Sequence, residues 1–197
     1  MGFTTPSYSL KDLFSRAGRG ELQLPDFQRE YLWGVDRVRT LVTSVLRGYP
    51  VGSFLALDTR NMEQRFKPRP LEGVEVEGVE VDGVAPGLLL LDGQQRLTSL
   101  YQAFKNDGEV HTVDYLGRPI RRRFMVDVRV AVSADPMPVE ALFAVDEQGQ
   151  VRSHFGPDVD GALNSREAYI NNGVIPVSML LWTCLLYTSP SPRDGLL

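Results

Sequence analysis

Hydrophobic and polar positions along the chain predict helices in the first half and β-hairpins in the second. Leu10, Leu13 and Phe14 share one face of a short helix, which the glycines at 18 and 20 end. From Gly34 onward the spacing is clearly helical, and Gly48 ends that pattern. Its single apolar stripe consists of Val35, Val38, Leu41, Val42, Val45 and Leu46.

The middle of the chain predicts an insertion between two strands. Pro25 favours an extended chain at Leu24, and residues 51–58 predict a strand. Residues 61–87 contain GVEVE followed by GVEVD, whose glycines and dense charge predict an exposed insertion. Residues 88–101, LLLLDGQQRLTSLY, predict a buried strand that turns through Gly93 into a helix. One face of that helix carries Leu97, Leu100, Tyr101 and Phe104.

The second half contains turn residues between apolar runs. Residues 111–132 predict a hairpin that turns at Gly117, and residues 141–155 predict another that turns at Gly149. A short helix around residues 165–171 precedes VIPVSMLL. These elements together predict a mixed α/β fold of the α+β kind.

Composition narrows the class of protein. A chain of 197 residues, 43% hydrophobic and 23% charged, is typical of one soluble globular domain. Its apolar runs are too short to span a bilayer, and the first residues lack the pattern of a signal peptide. One cysteine excludes an internal disulfide framework, and two histidines argue against a zinc cage. The cytoplasm is therefore the expected compartment, with no membrane partner.

Charge by itself does not indicate a nucleic-acid partner. The net charge is −4, and five acidic residues lie between positions 72 and 82. Without those five the rest of the chain carries +1 and is nearly neutral, so only local patches can point to DNA.

The last fourteen residues, 184–197, differ from everything before them. Residues 184–194, CLLYTSPSPRD, resemble the translation of a transposon end joined to a sequencing adapter. A native Ser/Pro linker is the alternative. The first interpretation predicts a non-native tail, a domain that ends near residue 183, and a truncated chain whose natural product is longer.

Three segments resemble a known family. They are FQREYLW at 27–33, LVTSVLRGYPVGSFLAL at 41–57 and LDGQQRLTSLY at 91–101. In this order and spacing they resemble the N-terminal domain of GmrSD-type modification-dependent restriction systems. The likeness is strongest from about residue 8 to 104 and continues weakly to VIPVSMLL. Glu30 stands where the family often has proline, which leaves the shared motif intact.

The resemblance implies a ParB/sulfiredoxin-like fold for residues 1–183, with the insertion at about 61–87. It also implies a module that binds and hydrolyses a nucleoside triphosphate (NTP), with DGQQR at the active site. Members of the family act against foreign DNA, often modified phage DNA, and work with an HNH-type nuclease domain. The sequence shows no HNH pattern, since neither His111 nor His154 has metal-ligand residues near it. We therefore expect the nuclease in the missing C-terminal part or on a separate chain.

The residue types in DGQQR suit a phosphate site, independently of the family resemblance. Unpaired N–H groups in the first helical turn after Gly93 attract anions, and glycine permits close approach of a phosphate. Arg96 offers a planar charged fork. Asp92 offers oxygen to Mg²⁺, and either Gln94 or Gln95 could orient an attacking water.

The first segment is predicted to close this site. Gln28 and Arg29 would face the phosphates, and Tyr31 or Trp33 would stack on a base. The alternative for both aromatic residues is burial in the core, where large aromatic side chains usually lie.

Other residues also have simpler explanations. Asp92 could merely cap a helix, and Arg96 could pair with a surface carboxylate. Arg118, Arg121 and Arg123 could contact nucleic-acid phosphates, but alternation along a strand puts Arg122 on the opposite face from Arg121 and Arg123, which favours a solvated hairpin face.

Three functions remain open on the sequence. The first is an NTPase module of a modification-dependent DNA restriction system that defends against phage. The second is a ParB-like switch that binds nucleotide or DNA without hydrolysis. The third is an inactive fragment of a longer restriction protein.

Overall fold

The computed structural model describes residues 5–60, 67–74, 86–153 and 156–181, which form the predicted mixed α+β fold. The helices are α1 (Leu10–Gly18), α2 (Val35–Leu46), α3 (Gln94–Phe104), α4 (Val128–Ala131), α5 (Arg166–Asn172) and α6 (Val177–Leu180). The strands are β1 (Leu22–Pro25), β2 (Leu55–Asp58), β3 (Pro68–Arg69), β4 (Leu88–Asp92), β5 (Glu109–Val113), β6 (Pro119–Asp127), β7 (Leu142–Val145) and β8 (Val174–Pro176). The three long helices precede the hairpins, as the patterns predict.

The first sheet has the strand order β2-β4-β1-β3. Within it β4 is parallel to β1, with Leu22 opposite Leu88, while β2 pairs antiparallel with β4. Parallel neighbours end at the same edge of a sheet, and ligands of α/β folds bind beyond that edge. The segment after β1 and the turn after β4 are thus brought together.

The second sheet contains the predicted hairpin of β5 and β6, which turns at Gly117 with a φ of 78°. β6 also pairs with β7 and β8. The strand ends earlier than its apolar pattern predicts, because the Asp127 carboxylate accepts two backbone N–H groups and caps α4. The return arm of the second predicted hairpin is reduced to one bridge between Val145 and Val151.

One hydrophobic core joins both sheets to the three long helices. Phe14, Phe104 and Phe124 are almost completely buried in it. Every residue of α3 from Leu97 to Phe104 is buried, not only the predicted apolar face. The reason is that α3 packs against α2, α6 and β5 on different sides. A helix enclosed in this way holds its first turn in a fixed position.

At the described edges of the predicted exposed insertion at 61–87, the chain joins the first sheet and the core. β3 pairs with β1, and both Leu71 and Pro86 are buried. Their apolar side chains complete the core beside β1, which the charged repeat nearby obscures. The repeat from residue 75 onward, His154 and the tail at 184–197 lie outside the described residues. Among the described helices none is long and apolar enough to cross a membrane.

Candidate functional site

A pocket of about 360 Å³ lies where β1 and β4 end. One wall is the segment after β1, and the other is the turn from β4 into α3. The lining residues are Phe27, Gln28, Arg29, Trp33, Asp92, Gly93, Gln94, Gln95 and Arg96. The structure therefore brings together all the predicted DGQQR residues and three of the four residues predicted from the first segment.

Gly93 shapes the start of α3. Its φ of 94° is left-handed, and a Cβ there would lie 2.4 Å from the Cδ1 atom of Phe54. Glycine avoids both problems because it has no Cβ. Gly93 also has no side chain to cap the helix, and the first helical hydrogen bond runs from Leu97 N–H to the Gly93 carbonyl. The N–H groups of the first turn, next to the pocket, remain available to an anion.

Three glutamine side chains tie the segment after β1 to β4 and α3. Gln28 Nε2 donates to the Leu91 carbonyl at 2.7 Å, and Gln94 Nε2 donates to the Arg29 carbonyl at 2.8 Å. Gln95 donates to the Glu30 carbonyl and accepts from the Leu32 N–H, both at 3.0 Å.

The two glutamines of DGQQR therefore differ in what they leave for a ligand. Both polar ends of the Gln95 amide are used by the backbone. Gln94 is 5% exposed and lines the pocket, and its Oε1 accepts no hydrogen bond from the described residues. Of these two glutamines, Gln94 is thus the one whose amide oxygen is left for a ligand by the described residues.

Arg96 holds the loop that leads into β2. Its guanidinium donates to the Val51 carbonyl at 2.7 Å and to the Ser53 carbonyl at 2.9 Å, and it lies over the Phe54 ring. The contact with the Asp92 carboxylate is longer, 3.4 Å, and the Asp92 side chain is 74% exposed. Arg96 thus borders the pocket with most of its donors already engaged, which the sequence does not predict.

Arg29 and Trp33 complete the pocket from the first segment. Arg29 is exposed, and among the described residues its guanidinium has no ion-pair partner. Trp33 is half-buried and serves two purposes, because it lines the pocket and also packs on the core. The two predictions for Trp33, core residue and pocket wall, are therefore compatible.

The structure places Tyr31, for which stacking on a base and burial in the core were the two alternatives, away from the pocket. Its ring is 7% exposed and does not line the pocket, and its hydroxyl lies 2.8 Å from the Ser99 hydroxyl on α3. Burial raises the pKa of Tyr31 from 10.0 to about 12. Tyr31 is therefore a core residue, and its contact with Ser99 holds the segment after β1 against α3.

We expect Tyr31 to make folding sensitive to alkaline pH. The folded state binds the phenol proton more tightly than the unfolded state, so its contribution is complete below pH 10 and is lost as pH rises through about 12. The loss should reach roughly 2–3 kcal/mol. Denaturant unfolding at pH 9 to 12 measures it. Tyr31→Phe should flatten the curve, whereas Tyr115→Phe, at a position 91% exposed, should not.

Two arginines of the hairpin, Arg118 and Arg121, form ion pairs with acidic residues. Arg118 pairs with Asp114 at 2.8 Å, and Arg121 pairs with Glu109 at 2.8 Å. Arg123 lies opposite Glu109 in the strand register. The charges of Arg118 and Arg121 are thus balanced locally, which favours a solvated hairpin face over the predicted contact with nucleic-acid phosphates.

Two contributors to the site were not predicted. Arg69 on β3 donates to the Gln28 carbonyl at 2.9 Å and so helps to hold the segment after β1 in place. Phe27 lines the pocket while 59% exposed. Phe27 begins the FQREYLW motif, so the sequence could have indicated it as a site residue. Arg69 lies outside every motif, so the sequence carried no such signal for it. Within the described ranges no group of three His, Cys, Asp or Glu residues is arranged to hold a metal ion.

Comparison with known proteins places the chain in a family. A protein of Methanocaldococcus jannaschii, described as uncharacterized, is 37% identical over 95 residues. That alignment covers 48% of this chain and 16% of the relative, so the chain matches only a small part of the longer protein. The model of the GmrSD restriction endonuclease N-terminal domain matches residues 10–169, which is most of the chain. The chain therefore belongs to the GmrSD restriction endonuclease N-terminal domain family.

Proposed function

We propose that this domain binds a nucleoside triphosphate in the pocket at the start of α3 and hydrolyses it within a restriction system. Membership of the GmrSD N-terminal family supports a component of such a system. The observation that carries the nucleotide proposal is the uncapped first turn of α3, which faces a pocket lined by Arg29, whose guanidinium has no ion-pair partner in the described part of the chain. Helix N-termini and arginine are both favourable partners of phosphate.

The phosphates would lie between Arg29 and the first turn of α3. The backbone N–H groups there act in a fixed direction because α3 is buried on all sides. Arg29 adds a full positive charge, and its main chain is held by Gln94 and Arg69 through the Arg29 carbonyl. Arg96 would contribute charge to the pocket while it holds the loop before β2.

Asp92 suits a magnesium ion that accompanies the nucleotide. Among the described residues that line the pocket it is the one carboxylate, and it is exposed. Mg²⁺ is commonly held by one or two carboxylates together with substrate phosphates, so one acidic residue is sufficient. When bound, the ion would supply charge neutralisation at the phosphate oxygens.

Gln94 is the residue that we assign to the attacking water. Its Oε1 accepts no hydrogen bond from any described residue and lies beside the pocket, and its Nε2 donates to the Arg29 carbonyl, which fixes the direction of the amide. An oriented water is the contribution that glutamine makes in other phosphoryl-transfer sites. Gln95 keeps the neighbouring segment in place.

A nucleotide-dependent switch without turnover is the second candidate. It is favoured by the contacts of Gln94 and Gln95 with the segment after β1, because a nucleotide that shifts either side chain would also move residues 29–32. The partners that we propose for both candidates are DNA and a nuclease domain of the HNH type.

We expect Arg29→Ala to weaken NTP binding about 10- to 100-fold, since it removes one charge-assisted contact with phosphate. Calorimetric titration of the four ribonucleoside triphosphates, each with Mg²⁺, measures this on the 197-residue chain. Arg166→Ala is the matched control, because Arg166 is exposed on α5 and lies outside the pocket. Equal affinities for both variants and the unaltered chain would reject the phosphate site.

A further inference from the structure

A second groove, of about 470 Å³, runs beside the phosphate pocket along α2. Asp36, Thr40 and Ser44 line it and recur every four residues, so they follow one side of the helix. Between the first and the last of them the helix rises roughly 12 Å. Leu41 and Val51 add apolar surface to the floor and to the opposite wall. The groove is therefore long, open at the surface and partly apolar.

Two connections join this groove to the phosphate pocket. Trp33 lines both of them. Val51 lines the groove, and its carbonyl accepts the 2.7 Å hydrogen bond from Arg96, which lines the pocket. The two cavities thus share one wall residue and one direct hydrogen bond between their walls. A single ligand can extend from one to the other past Trp33.

We propose that the groove along α2 binds the nucleoside half of the nucleotide whose phosphates occupy the pocket, an inference that rests on the proposed function. A nucleobase has apolar faces and polar edges, and the groove offers both kinds of contact. Trp33, Leu41 and Val51 provide apolar surface. The hydroxyls of Thr40 and Ser44 donate to carbonyls of their own helix at 2.8 and 2.9 Å, which leaves their oxygens as acceptors for a base edge.

Filling the groove should separate recognition of the nucleoside from recognition of the phosphates. Thr40 is exposed, so Thr40→Trp adds a large ring to the groove without entering the core. We expect the affinity for the preferred ribonucleoside triphosphate to fall about tenfold or more, because base contacts of this size are lost. The affinity for inorganic tripolyphosphate should not change. Calorimetric titration with Mg²⁺ and each of the two ligands measures both values.

Controls make the result specific to the groove. Ser15→Trp places the same ring on an exposed position of α1 and should leave both affinities unchanged. Ser44→Phe fills the groove one helical turn further along α2 and repeats the test if Thr40→Trp does not fold. If both filling variants bind NTP as tightly as the unaltered chain, the nucleoside lies elsewhere and the inference is overturned, while the phosphate site stands. If the unaltered chain binds neither ligand, the proposed function fails and the inference fails with it.

Discussion

Asp92→Asn is expected to lower the rate of NTP hydrolysis roughly 100-fold or more while nucleotide affinity changes only a few-fold. The pocket contains no second described carboxylate that could replace Asp92. An amide of the same shape keeps the turn but loses the negative charge that a hard cation prefers. The Asp92 carboxylate is also only loosely tied to Arg96, at 3.4 Å, so its loss should not release the loop before β2.

Phosphate release at increasing Mg²⁺ concentration measures this effect. The asparagine variant should need more Mg²⁺ for its remaining activity, whereas a purely structural defect would leave the Mg²⁺ dependence unaltered. Asp158→Asn, at an exposed position outside the pocket, is the matched control. Full activity of Asp92→Asn at low Mg²⁺ would remove Asp92 from the proposed chemistry, and binding without turnover in the unaltered chain would favour the switch.

Gly93→Ala is expected to destabilise the fold by about 2–5 kcal/mol. A left-handed φ costs a residue with a Cβ about 1–2 kcal/mol, and overpacking against a neighbour costs about 1–3 kcal/mol. Both apply at Gly93, where φ is 94° and the added Cβ would lie 2.4 Å from the Phe54 ring. The first turn of α3 would then have to move, so nucleotide affinity should fall as well.

Gly117→Ala separates the two contributions. Gly117 also has a left-handed φ, of 78°, but an added Cβ there would meet no atom within 4 Å. We expect Gly117→Ala to lower the free energy of unfolding by only about 1–2 kcal/mol. Urea unfolding of both glycine variants measures the difference. Combining Gly93→Ala with Phe54→Ala should remove the steric cost and restore part of the lost nucleotide affinity. Equal destabilisation by the two glycine variants would show that the contact with Phe54 is unimportant.

Local patterns predicted much of the fold for a physical reason. The apolar stripe of α2, the strand-turn-helix around Gly93 and the hairpin at Gly117 all depend on residues within one or two turns of each other. The apolar pattern did not predict where β6 ends, because the Asp127 carboxylate caps α4 and ends the strand there. Leu71 was missed because one apolar residue beside a charged repeat carries little signal.

The sequence predicted which residues line the candidate site, but it did not predict the hydrogen bonds between them. The DGQQR residues and Gln28, Arg29 and Trp33 line one pocket, which confirms that the two motifs meet. Their hydrogen bonds join positions some 40 to 65 residues apart, such as Arg96 to Val51 and Gln95 to Glu30. No local pattern encodes these pairs. The different hydrogen bonds of Gln94 and Gln95 therefore became visible only in three dimensions.

The sequence by itself determined the family, the mixed α+β class and the strand that delivers Asp92 and Gly93 to a helix start. Tertiary structure decided that β1 lies parallel to β4, and this pairing, with the hydrogen bonds across it, brings Arg29 to the pocket at the start of α3 and Tyr31 into the core. The physical reason is distance along the chain. Propensity and periodicity act over a few residues, whereas strand pairing and burial depend on which distant surfaces can pack together.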